Sequence, residues 1–106
     1  MQPKMTIATQ LVLDVLLGDL TGERYGSEIG KEAGLPSGTV HPILARLERV
    51  GWLESRWEDI DPSVEGRPAR RYYRLTESGA VAARRALSAK ARARVGLTLR
   101  PQGGTS

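Results

Sequence analysis

The sequence predicts a mainly α fold with a small β-hairpin. Two observations point there. Apolar residues recur at spacings of three and four up to Val50 and again after Thr76. Between these stretches, Trp52–Glu58 and Arg70–Leu75 carry the aromatic and interleaved charged residues of two short strands.

The elements follow in order. Thr6 caps a first helix with Ile7, Leu11, Val12, Val15 and Leu16 on a broad apolar face, and Gly18 marks its end. Residues 18–24 form a turn-rich, charged connection. A second helix covers Tyr25 to Ala33 and is broken by Gly34-Leu35-Pro36, because the residue before a proline avoids the helical region. Ser37 or Thr39 caps a third helix with Val40, Ile43, Leu44 and Leu47 on one face. Pro42 lacks an amide hydrogen, so regular helix is expected to begin near Thr39, and Gly51 stops it beyond Val50. The first strand places Leu53 and Trp57 on one face. Residues 59–69, with Pro62, Gly66 and Pro68, read as a loop. Thr76 opens a fourth helix that runs to about Arg94. Three helices, a hairpin and a last helix make a winged helix-turn-helix plus a C-terminal helix. The expected division is 1–75 for the winged unit, 76–95 for a dimerisation helix and 96–106 for a disordered tail.

The helix-turn-helix is testable position by position. Two short helices that cross steeply need a small residue at the contact, a glycine-like turn and apolar residues toward the shared core. With Gly34 as the turn, Gly30 is the small contact. Ile29, Ala33, Leu35, Val40 and Ile43 occupy the apolar positions. Pro36, Ser37, Gly38, His41, Pro42 and Ala45 then face outward at the end of the third helix that enters a DNA major groove in such folds. Arg46 and Arg49 lie within reach of phosphates, and Ser37 and Thr39 supply hydroxyls.

Composition narrows the function. The 106 residues are 40% hydrophobic and 26% charged, the balance of a small globular domain. No apolar run is long enough to span a membrane, and the first residues lack the pattern of a secretory signal. The chain has no cysteine and one histidine, which excludes thiolate and multi-histidine metal sites within one chain. No glycine-rich phosphate loop or catalytic constellation is present. The expectation is a cytoplasmic protein that is not an enzyme and needs no cofactor. Charge is uneven. Residues 1–65 hold 6 basic and 11 acidic side chains, net −5; residues 66–106 hold 10 basic and one acidic, net +9. A cationic second half suggests a polyanion partner, here double-stranded DNA, although a solvated basic helix gives the same count.

Three segments carry a resemblance: Tyr25-Gly26-Ser27-Glu28-Ile29; Ser37 through Leu47; and Gly66-Arg67-Pro68 with Arg71 through Gly79. Together they resemble the PadR family of transcriptional regulators over roughly residues 7–80. The resemblance implies a bacterial winged-helix regulator, usually a dimeric repressor on a palindromic operator. His41 stands where the family usually has tyrosine. The fourth helix has no aromatic residue, so a pocket for flat ligands is not expected, and no effector is legible.

The wing holds acidic Glu58, Asp59, Asp61 and Glu65 on one side and Gly66-Arg67-Pro68-Ala69-Arg70-Arg71 on the other. Arg67 beside Gly66 suits a narrow minor groove, and Arg70 and Arg71 suit the DNA backbone; each arginine also suits a solvated surface. Trp52, Trp57, Tyr72 and Tyr73 are assigned to hairpin and core. One recognition helix reads too few base pairs to single out an operator, so a homodimer is expected. Its interface falls on Val81, Leu87 and Ala91 of the fourth helix, with Ala80 and Ala83 in the same stripe. The first helix adds Leu11 and Val15, with Val12 as a further shared position. Two other roles fit the same fold: a protein–protein interaction module and a DNA-binding factor of a mobile element.

Overall fold

A computed structural model describes residues 2–20 and 22–99. The elements are α1 (Ile7–Leu17), β1 (Arg24–Tyr25), α2 (Gly26–Ala33), α3 (Ser37–Arg49), β2 (Leu53–Trp57), α4 (Pro62–Glu65), β3 (Arg71–Leu75) and α5 (Glu77–Leu99). The winged helix-turn-helix layout is as the sequence predicts.

Helix α1 starts where Thr6 Oγ1 accepts the Thr9 N–H at 3.1 Å and ends at Gly18. Such a cap contributes about 1 kcal/mol. Between α2 and α3, Gly34 adopts a left-handed conformation with φ 72°, which glycine enters at no steric cost. At Gly30 an added Cβ would lie 3.0 Å from the Leu35 carbonyl oxygen and 3.3 Å from Val40 Cγ2, so the small residue is where the helices touch. Ile29, Val40, Ile43, Leu44 and Leu47 are buried with Val12, Leu13 and Leu16 of α1 in one core. Each large aliphatic side chain so enclosed contributes about 1.5–3 kcal/mol.

Several expectations change. Helix α3 begins at Ser37, with Pro36 as its cap residue, and encloses Pro42. The Thr39 and Val40 amides already bond to the Pro36 carbonyl, at 2.9 and 3.1 Å, so the first turn closes ahead of the proline. Pro42 then costs the helix a single bond. The sheet has three strands in the order β1-β3-β2, because Arg24 and Tyr25 pair with Tyr73 and Tyr72. Asp61 caps a short helix, α4, inside the segment read as a loop, and Gly66 ends it with φ 72°. Trp57 is 60% exposed although Leu53 is buried, because β2 runs out past the edge of the core.

Helix α5 is locked to the sheet at its start. Thr76 Oγ1 accepts the Gly79 N–H at 2.9 Å and donates to the Gly51 carbonyl at 2.8 Å, while the Thr76 N–H bonds to the Trp52 carbonyl at 2.9 Å. Gly79 sits so close to Trp52 that a Cβ would collide with its backbone. Ala80, Ala83 and Ala86 enter the chain's own core, and Leu87 packs partly against it. Val12 is fully buried there too, which withdraws it and the two stripe alanines Ala80 and Ala83 from any partner. The helix continues through Gly96 to Leu99, past the limit near Arg94 and into the segment read as tail. The remainder of that tail lies outside the described residues.

Candidate nucleic-acid interface

The candidate site consists of the outer face of α3 and the wing between β2 and β3. On α3, Ser37, His41, Pro42, Arg46 and Arg49 are exposed and Thr39 is half-exposed, while the opposite face fills the core. This division follows from the spacing: residues 37, 41, 42, 46 and 49 share one side of a 3.6-residue repeat, and 40, 43, 44 and 47 share the other. Among the described residues neither Arg46 nor Arg49 forms an ion pair. The imidazole of His41 lies against the first residue of α2, where a Cβ on Gly26 would stand 2.8 Å from its Cε1. Gly26 therefore gives His41 its seat, a pairing not legible in the sequence.

The wing arginines are all engaged within the chain. Arg67 donates Nη1 to Glu58 Oε1 at 2.7 Å and Nη2 to Glu58 Oε2 at 3.0 Å, a two-pronged ion pair. Glu58 also accepts the Arg70 N–H at 3.2 Å. Chiefly through the bond from Arg67, its carboxyl is held down to about 2. The Arg70 guanidinium lies over the Tyr25 ring, 4.5 Å from its centre, and Tyr25 meets Tyr72 edge to face at 5.8 Å. Arg71 stacks on Trp57 at 5.3 Å, donates Nε to Ser55 Oγ at 3.0 Å and pairs with Glu48 of α3 at 3.5 Å. Trp52 and Tyr73 are core residues and Trp57 and Tyr72 hairpin residues, as expected, the last two lying under Arg71 and Arg56.

Further ion pairs join Arg56 to Glu23, Arg74 to Glu54 and Arg24 to Glu32. Among the described residues no group of histidine, cysteine and carboxylates is placed to hold a metal, and no helix is long and apolar enough to cross a membrane. Of the expected interface residues, Leu11 is 37% and Val81 46% exposed, Val15 and Leu87 are half-buried, and Ala91 is exposed.

A helix-turn-helix with an exposed outer helix face, braced by a wing, defines a winged-helix fold. The chain belongs to the PadR-like family of transcriptional regulators, whose model matches residues 12–85. It is thus a regulator and not an enzyme. No curated protein matches the sequence. Among solved structures it is similar to a PadR-like transcription factor from Bacteroides fragilis, with 24% identity, a TM-score of 0.67 and 87% of each chain covered. It is similar to a transcriptional regulator homologue from Pyrococcus horikoshii, with 23% identity and a TM-score of 0.69 over 89% of this chain and 86% of that one. It also resembles the PcaV transcriptional regulator of Streptomyces coelicolor, with 24% identity and a TM-score of 0.70 over 94% of this chain and 67% of that one. At these identities the likeness establishes the shared fold.

Proposed function

We propose that the protein is a sequence-specific DNA-binding repressor that acts in the cytoplasm as a homodimer on a palindromic operator. The observation that carries this reading is the two-sidedness of α3. Its inner face is committed to the core, and its outer face presents Ser37, Thr39, His41, Pro42, Arg46 and Arg49 to solvent with both arginines outside any ion pair among the described residues. Ser37, Thr39, His41 and Pro42 sit at the end of the helix that meets base edges. Arg46 and Arg49 hold the backbone. The wing adds Arg67, Arg70 and Arg71 as positioning contacts, with Arg67 exchanging Glu58 for a phosphate on binding.

The dimer uses the side of α5 not consumed by the core, through Val81, Leu87 and Ala91, with Leu11 and Val15 of α1 beside it. Beyond Leu87 every residue of α5 from Ser88 to Gly96 is exposed, so this stretch is open to a second copy. Residues 1–75 are then the DNA-binding unit and residues 76–95 the pairing helix.

Selection of bound genomic fragments, combined with sedimentation equilibrium, tests the reading. The expected result is an enriched palindrome with half-sites about one helical turn apart and a dimer that Ala91→Glu dissociates. Failure to enrich any sequence, or an operator bound by an 11.6 kDa monomer without cooperativity, overturns it.

A further inference from the structure

The segment ahead of α1 is tied down. Met5 packs against the core, and its carbonyl accepts the Gln10 side-chain amide at 2.9 Å. Gln10 is itself buried, and its Oε1 accepts from Arg94 of α5 at 3.1 Å. These bonds hold the preceding Lys4 beside the C-terminal end of α3. There Lys4, Arg46 and Arg49 line one groove of about 400 Å³, with Pro3 and Val50 in the same lining. No carboxylate lines it, and among the described residues none of the three cations forms an ion pair.

We infer that this groove follows the phosphate backbone of duplex DNA, with Lys4, Arg46 and Arg49 each neutralising a phosphate, and that Lys4 is a DNA-contacting residue supplied by the N-terminal segment. The inference rests on the DNA-binding reading above. Arg46 and Arg49 stand on the α3 face that carries His41 and Pro42, further along the helix. A duplex that receives the start of α3 in its major groove brings a strand backbone across this far end. Three cations line the groove without an acid to neutralise them, so each meets a phosphate without first breaking an ion pair. Lys4 acts as a point charge there, which gives affinity but reads no sequence.

Fluorescence anisotropy with the selected operator and a scrambled duplex, each titrated across salt, tests it on the full chain. Lys4→Gln is expected to lower the log–log salt slope by about 0.9 and to weaken both duplexes by the same factor. The wild-type advantage then shrinks about 3.5-fold between about 50 and 200 mM salt. Lys4→Arg restores both quantities. Because Lys4 lies outside the packed core, circular dichroism of Lys4→Gln stays that of wild type. An unchanged slope overturns the inference, as does a loss confined to the operator. Absence of any wild-type binding at low salt instead overturns the DNA-binding reading itself.

Discussion

Two basic regions of this molecule differ in a way that charge counting conceals. The wing carries three arginines within five residues, yet each is engaged inside the chain: Arg67 by Glu58, Arg70 by the Tyr25 ring and Arg71 by Trp57, Ser55 and Glu48. Helix α3 carries two, Arg46 and Arg49, and both stand clear of ion pairs among the described residues. Arg67 and Arg71 already face a carboxylate and Arg70 an aromatic ring, so each offers DNA only the difference between its two partners. A solvated cation offers its whole charge. On the proposed DNA-binding reading the outer end of α3 is therefore the stronger electrostatic anchor, although the sequence places its highest charge density at the wing and beyond.

The largest effect expected from this contrast is on α3. Replacing Arg46 and Arg49 together by alanine should weaken every duplex by about tenfold per arginine, about 1.4 kcal/mol each, and lower the salt slope by about 1.8. Anisotropy across a salt series measures both. Arg67→Ala should cost much less, about threefold or under, and leave the fold intact, because the lost arginine gives up Glu58 as well as a phosphate. If Arg67→Ala matched the α3 double variant, the contrast between paired and unpaired cations would be wrong.

A second way to sharpen the comparison uses Gly26. Gly26→Ala drives a methyl group into the space of the His41 ring, whose far end can swing aside. Alanine in place of glycine also restricts the unfolded chain, which stabilises by about 0.4–1 kcal/mol. The expected outcome is a protein as stable as wild type or slightly more so, with altered discrimination among operator variants of about 1–3 kcal/mol at the position His41 reads. Unaltered preference on a panel of single-base variants would remove His41 from base recognition and leave it a backbone contact.

The parts legible in the sequence are those fixed by neighbours. Gly30, Gly34 and the apolar set from Ile29 to Ile43 lie within a few turns of one another, so spacing alone placed α2 against α3 and turned His41 and Arg46 outward. The parts that escaped depend on residues far apart. Strand β1 consists of Arg24 and Tyr25, too short for any alternation, and exists because β3 offers an open edge. Ala80 and Ala83 read equally well as a surface for a partner or for the chain's own core; the Thr76 and Gly79 lock on Gly51 and Trp52 decides for the core. The family-like motif contained Gly79, but the reason for a glycine there is the Trp52 backbone. Lys4 is a lone cation in the sequence and becomes part of a cluster only through the Gln10 and Met5 contacts.

The smallest expected effects concern Glu58, and they test whether it restrains Arg67. Glu58→Gln keeps an oxygen for the Arg70 N–H but releases the arginine, so DNA affinity should rise by about threefold at low salt. The pH dependence separates this from a general loosening of the wing. The Glu58 carboxyl sits at about 2 in the folded chain, against roughly 4.3 for a free glutamate. A depressed carboxylate stabilises the fold fully above the unfolded value, and that contribution fades as pH falls toward the folded one. Wild type should therefore melt above Glu58→Gln by a constant margin from pH 7 down to about 4.5, with the margin closing as pH approaches about 2. Thermal melts of both proteins across that range measure it. A margin that persisted at the acid end, where the carboxylate is protonated, would mean that Glu58 acts through packing rather than through its charge on Arg67.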